Sequence, residues 1–390
     1  MSQITDLTTQ TGSFGTRAPT GSPTVGPSDR PNRRRRVAPA SVWEVGGSAL
    51  AALAFVWVIF TVTGTSAAFG LVVSWFLTFI TVYAILCWRL HGVLAMKDKL
   101  ATVAMWSGAL IALIPLVAVI SYVVFRGAPV ALARFPHFFV ADMSDVGANS
   151  PVTSVGAGAA IVGTVEQIGL AAIMTVPLGI LTATYLVDSG GPFARFVSSV
   201  VDAMTGAPAI IFGLFVYLLW VVPHHENGKS GFAAALALAA MMLPVVTRTA
   251  QEVIAVVPGA LREAALALGA PRWRVILRVV LPTARAGLAT AIILGVARVA
   301  GETAPVLFVA GGNFAYNWNP FHGYQDSLPL RIYELIFQGS GNITRDAWGV
   351  SFVLVLVVLG LFLVARVVGS SGPGRRTVPW RRRKTTGVRA

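Results

Sequence analysis

Apolar runs of about eighteen residues or more recur along this chain, and no other feature limits its fold so severely. Each run is long enough to cross a hydrocarbon core of about 30 Å. Inside that core no water is available to satisfy backbone N–H and C=O groups, so the spans must be helices that bond internally. Composition points the same way. The chain is 55% hydrophobic and 12% charged, with a mean hydropathy of +0.72, whereas a soluble chain carries about 25% charged residues. The fold class expected is an all-α polytopic membrane protein. Cys87 is the single cysteine, so no intrachain disulfide can form.

The apolar runs divide into about eight expected spans, near 46–63, 67–88, 101–125, 157–187, 203–222, 231–256, 284–310 and 347–368. The run 157–187 exceeds one crossing; it tilts, or Pro177-Leu-Gly179 kinks it. With the N-terminus inside, the inner segments are 1–45, 89–100, 188–202, 249–283 and 369–390. Most of the 30 Lys and Arg fall in or beside them. The outer segments 126–156, 223–230 and 311–346 hold only Arg126, Arg134, Lys229, Arg331 and Arg345. This bias is the positive-inside rule, and it puts both termini in the cytoplasm. It also accounts for the net charge of +14 without a nucleic-acid partner. Arg33–Arg36 and Arg381–Lys384 read as topology determinants facing anionic membrane lipid. Residues 1–45, poor in apolar periodicity, are expected to form a disordered basic tail, and 369–390 a second one. Residues 46–100 read as a retained transmembrane hairpin and its cytoplasmic loop, not as a cleaved signal.

One inner segment carries a distinctive pattern. Glu263-Ala264-Ala265-Leu-Ala-Leu-Gly269 is followed by Leu281-Pro282 and set among Arg262, Arg272, Arg274, Arg278 and Arg285. The alanines favour helix and present a thin surface that a partner can approach closely. Gly269 suits a helix stop, and Pro271 a fresh start just beyond it. An Ala-rich amphipathic connector would show the same spacing. The pattern nonetheless resembles the coupling loop of ABC importer permeases, which forms a short helix docking on a cytoplasmic ATPase.

Farther strings narrow the resemblance. Arg298-Val-Ala-Gly-Glu302-Thr303-Ala-Pro305 is similar to the "A" permease subunit of the phosphate-specific importer, and so are Ala160–Thr164, Val176–Ile180, Gly206–Gly213, Thr247–Thr249, Ser327–Tyr333 and Ala347-Trp348. The likeness covers roughly 157–368, with 101–156 as its first helix and outer loop. It implies the type I (MetI-like) helical permease core, with the hairpin at 46–100 as an addition, and a coupling loop at about 257–283. It further implies a non-catalytic subunit, without cofactor or metal, in a bacterial plasma membrane. The implied partners are a sister permease, an ATPase dimer, an extracytoplasmic phosphate-binding protein and inorganic phosphate. A sister permease, or a permease for sulfate or molybdate, is the nearest alternative. A proton-coupled carrier and a non-transporting membrane sensor are the other classes open.

Charges inside the spans are the candidate pathway residues. A charge near a bilayer centre costs about 2.5–3.5 kcal/mol on insertion scales, so such side chains face the bundle or a wet path. Arg298 and Glu302, four apart, share one helix face. Either Arg298 attracts phosphate, with Glu302 holding it and Thr303 beside it, or the two merely neutralise each other. Arg248 either lines an exit or snorkels to headgroups. Glu166 has no partner visible in sequence and is protonated or paired. Gly228-Lys229-Ser230 lacks the first glycine of a phosphate-binding loop, Pro223 standing there. The adjacent His224 and His225 point apart on any helix and read as a solvated loop.

Overall fold

The computed structural model describes residues 39–63, 68–144, 155–337 and 341–370. Among these residues the chain is mostly helical and has no strand beyond a single bridge between Gly311 and Gln325. The expected tails, with Arg33–Arg36 and Arg381–Lys384, lie outside the described residues. Among the described residues, helices long and apolar enough to cross a membrane number 6, or 7 if one bent pair counts as a single span. The chain forms two compact units that divide between Leu113 and Ile114.

The first unit holds α1 (Pro39–Thr63) and the opening part of α2 (Ala68–Ala133). At 66 residues, α2 would reach about 100 Å if straight, far more than one crossing. It is interrupted at Gly92, whose φ of 81° is a glycine conformation. The expected loop 89–100 is therefore not a loop. Leu90, Leu94, Ala95, Met96 and Lys97 are good helix formers, and only Gly92 breaks them. Trp75, Phe79 and Tyr83, four residues apart, stack along one face at centroid distances of 6.2 and 5.8 Å. That face closes on Ala52, and Trp75 Nε1 donates to the Ala49 carbonyl at 3.0 Å. Lys99 joins Glu44 at 2.6 Å.

In the second unit a short turn, α3 (His137–Val140), precedes α4 (Gly158–Asp188). There α5 (Pro192–Gly206) and α6 (Ala209–Val216) meet at a 108° bend. The expected span 203–222 is thus two elements. Pro208 disfavours helical backbone at the residue before it, and Ala207 is extended at ψ 134°. A wide turn, Tyr217–Val221, carries α6 into α7 (Val222–His224).

Helix α8 (Gly231–Ala255) is the centre of the unit. Ala233, Ala234, Ala235 and Ala237 are fully buried in it. Glycines let neighbours close on it: a Cβ at Gly179 of α4 would lie 3.0 Å from Val246 Cγ1, and one at Gly295 would lie 2.5 Å from Val246 Cγ2. Small residues at such crossings let backbones approach and gain dispersion contact, which is what holds helices together in lipid. Ser230 caps α8 by accepting from Ala233 N at 3.2 Å, so Gly228-Lys229-Ser230 is a helix start. His224 contacts the Trp220 carbonyl at 2.7 Å through Nδ1 and stacks on its ring.

The chain continues through α9 (Gly259–Ala267), α10 (Arg272–Val275) and α11 (Leu281–Ala300). A wide turn at Ile276–Val280 joins α10 to α11, so the membrane-length helix runs from Arg272 to Ala300. Pro282 has no N–H and its ring crowds the preceding turn; a widened turn there absorbs both. The expected span 284–310 ends early, because the helix breaks after Ala300 and resumes as α12 (Ala304–Val309). The chain closes with α13 (Leu328–Phe337) and α14 (Gly341–Ser370).

Candidate functional site

At one end of the second unit stands α9. None of its residues is buried, and Leu261, Leu266 and the following Leu268 are exposed, Leu268 at 89%. Glu263 and Ala264 face outward, while Ala265 turns inward against the cluster of Ile254, Val275 and Val280. Gly269 takes a φ of 79° and ends the helix, its N–H donating to the Leu266 carbonyl at 2.9 Å. Pro271 then caps α10. Arg262 clamps the loop to the bundle, reaching Asp188 at 2.5 Å and the Ile254 carbonyl at 3.0 Å. Leu281 and Pro282 do not belong to this projecting element. They lie inside the helical run beyond the wide turn, where Leu281 packs on the same cluster.

Arg248 is anchored. Its guanidinium meets Asp202 at 2.5 Å, the Ser198 carbonyl and hydroxyl at 2.9 and 2.8 Å, and Gln251 at 2.6 Å. It therefore ties the amphipathic α5 to α8, a stronger commitment than snorkelling requires.

Arg298 and Glu302 form an ion pair. They do not sit in mid-helix: Arg298 is in the last turn of α11 and Glu302 in the break that follows. A cation there is favoured by the helix's carbonyl end. The Arg298 side chain is half exposed at 49%, and Glu302 is 19% exposed. Glu302 lines a small cavity with Thr164, Gln167 and Ser327, whose remaining wall is apolar. Thr303 is half-buried beside it.

A buried polar cluster, unforeseen as a site, backs this cavity. The segment Gln325-Asp326-Ser327 lies against α4, where a Cβ at Gly163 would stand 2.1 Å from the Asp326 carbonyl. Gln325 donates to Glu166 at 2.5 Å, which supplies the partner absent from the sequence reading. Gln167 donates to Gln325 at 3.2 Å and to the Asp326 carbonyl at 3.0 Å, and Leu328 N donates to Thr164 at 2.8 Å. Arg331, 1% exposed, donates to Asp326 at 2.7 Å and lies 3.8 Å over the Phe314 ring. Burial pushes the Asp326 carboxyl up to about 7, against the pull of Arg331. Asp326 Oδ1 and the Ser327 hydroxyl have no hydrogen-bond partner among the described residues. The sequence signals were Glu166 as a charge within a span, Arg331 as a cation in a sparsely charged segment, and the strings Ala160–Thr164 and Ser327–Tyr333. No spacing rule brings residues 166 and 325 together.

Comparison with known proteins gives the family of the chain. Residues 175–376 match the family described as binding-protein-dependent transport system inner membrane component. The phosphate transport system permease protein PstA 1 of Mycobacterium tuberculosis is 39% identical over 287 residues, 73% of this chain and 91% of that protein. The PstA of Mycobacterium leprae is 41% identical over 269 residues, 68% of this chain and 86% of the relative. A solved chain of the MetNI methionine ABC transporter, inward facing, aligns at 19% identity and a TM-score of 0.40, over 54% of this chain and 91% of that one. Family and fold rest on the first three matches and on the helix order, not on that superposition.

Proposed function

This chain belongs to the binding-protein-dependent transport system inner membrane components, among the permeases of the PstA type, and from that premise we propose that it is the permease subunit of an ATP-driven importer of inorganic phosphate. It hydrolyses nothing itself; a separate ATPase dimer docks on α9 from the cytoplasm. A sister permease completes the path, and an extracytoplasmic binding protein delivers phosphate to the opposite face. Both termini are cytoplasmic, in keeping with the charge bias of the segments between spans.

The observation that carries this reading is the likeness to phosphate permeases over most of the chain. The geometry gives it a mechanism. A helix with no buried residue, clamped at one end by Arg262 and Asp188, can pass a push from an ATPase into α4 and the Arg272–Ala300 helix. Arg298 projects from the end of that same helix. A guanidinium there offers phosphate a planar set of donors, and Glu302 holds it ready between passages. Glu263, Ala264, Ala265 and Gly269 are the coupling residues. Leu281 and Pro282 set the wide turn through which α10 feeds α11.

The test is reconstitution of this chain with its sister permease, ATPase and binding protein in vesicles. ATP-dependent uptake of labelled phosphate is expected. Uptake that runs without ATP on a proton gradient, or sulfate carried in preference to phosphate, would sink the proposal.

A further inference from the structure

The outer segments hold few cations, and most of those are engaged. Arg134 meets Asp346 at 3.3 Å, Arg331 is buried on Asp326, and Lys229 stands 6.0 Å over the Tyr324 ring. Arg126 and Arg345 form no ion pair among the described residues. Yet they come from distant parts of the sequence to one place, a cleft of about 520 Å³ between the last turns of α2 and the first turns of α14. That size is ordinary for a small-ligand site.

We propose that this cleft holds the phosphate headgroup of an anionic phospholipid. Three features carry the assignment. The charge is unbalanced: among the described residues two guanidinium groups line the cleft and no carboxylate does. Planar forks of this kind suit phosphate oxygens. The position is that of a headgroup, because both apolar stretches end here. The aromatic lining is that of a membrane boundary: Tyr122 meets Trp348 edge-on at 4.8 Å, and Arg126 lies 5.5 Å over the Tyr122 ring. Phe125, 77% exposed, continues the wall toward the acyl region. Inorganic phosphate would use the arginines and leave that wall idle; a lipid uses both.

The cleft is pre-formed. A Cβ at Gly127 would lie 2.2 Å from the Trp348 carbonyl and 2.7 Å from Phe352 Cβ, so α2 and α14 touch backbone to backbone beneath it. The Arg134–Asp346 pair fastens the same two helices one step farther along. None of this depends on which solute the protein transports.

The experiment is native mass spectrometry of the full-length chain in detergent, titrated with phosphatidylglycerol or phosphatidylcholine. Phosphatidylglycerol is expected to bind selectively and to weaken about tenfold or more in Arg126→Gln/Arg345→Gln, two charged contacts being lost. Arg366→Gln, at the opposite end of α14, should leave binding unchanged, and millimolar inorganic phosphate should not displace the lipid. If the double variant fails to accumulate, Arg345→Gln alone decides, with a several-fold loss expected. Equal binding by wild type and the arginine variants overturns the site. So does equal retention of phosphatidylcholine. Displacement by inorganic phosphate overturns the lipid and makes free phosphate the occupant.

Discussion

Two stretches of this protein show how little hydropathy says about burial. The most apolar window of α2 has a mean hydropathy of 2.5 and none of its residues is buried; in α8 the window averages 1.7, yet 67% of it is buried. The less hydrophobic helix is the core. In water the ranking would be odd, since apolar area drives burial there. In a membrane, lipid tails serve Leu and Ile as well as protein does, so nothing drives the greasier of the two helices inward. What α8 offers instead is a run of alanines facing glycines on its neighbours, and hence close backbone contact.

The contrast can be broken most directly by adding bulk to each side. Gly163→Val would force a side chain onto the Asp326 backbone carbonyl, 2.1 Å from the new Cβ, whereas nothing lies within 4 Å of a Cβ at Gly108. Overpacking against unyielding backbone costs about 1–3 kcal/mol or more. Membrane abundance is expected to fall more than about tenfold for Gly163→Val and to stay within about twofold for Gly108→Leu. Similar abundance for both variants would show that close packing on α4 is not what the fold depends on.

A second comparison sets the helix end at Arg298 against the buried interior. Arg298→Gln should abolish phosphate uptake with the complex still assembled, because its half-exposed side chain carries little packing. Arg298→Lys should keep part of the uptake, the charge remaining while the fork is lost. Glu302→Gln should lower uptake without changing the anion carried. If the pair is only structural, either single change reduces abundance and the double Arg298→Gln/Glu302→Gln change restores both abundance and uptake. Labelled-phosphate uptake with subunit abundance across this cycle separates the two cases.

Helix α9 extends the comparison to an exposed helix that we propose docks an ATPase. Glu263→Arg is expected to cut uptake about tenfold and weaken ATPase co-purification, with insertion unchanged, since no packing is touched; a tenfold loss corresponds to about 1.4 kcal/mol of contact. Gly269→Asp, placed at a φ of 79° with open space around it, should act in the same direction but less, Asp tolerating that conformation. Normal uptake and normal co-purification in both would remove α9 from the coupling role.

The smallest effect concerns the first unit. Removal of residues 1–92 makes the chain start just past the Gly92 break, with Lys97 and Lys99 left to hold the new end inside. The lost partners of Met96, Leu100 and Val103 are apolar, and lipid can replace them. Uptake within about twofold of the full chain is expected, a change worth less than about 0.5 kcal/mol. A larger loss at normal abundance would show that the hairpin takes part in transport or assembly.

The helix ends around α9 and α10 were legible because their signals are local. Gly269 stops a helix and Pro271 starts one, as their backbone preferences require. Breaks were the poorest part of the sequence reading. The loop expected at 89–100 is one bent glycine, and the span expected at 203–222 is split by Pro208. The helix expected to run through Gly301 ends there. Each depends on whether tertiary contacts reward continuing a helix past a weak point, and apolar composition is silent on that.

From its residues alone this chain had to be helical and to lie in a membrane, because hydrocarbon tolerates no unpaired backbone and soluble folds tolerate no such apolar length. Its charge distribution and its Glu-Ala-Ala loop were likewise written in order along the sequence. Only the tertiary structure decided that α8 lies at the centre, that Arg248 binds Asp202 and Ser198, and that Gln325 reaches Glu166. Only it brought Arg126 and Arg345 to one cleft. The physical reason is range. Helix formation and membrane partition act over a few turns of chain, whereas these contacts join residues far apart in sequence and arise where glycine and alanine let backbones approach.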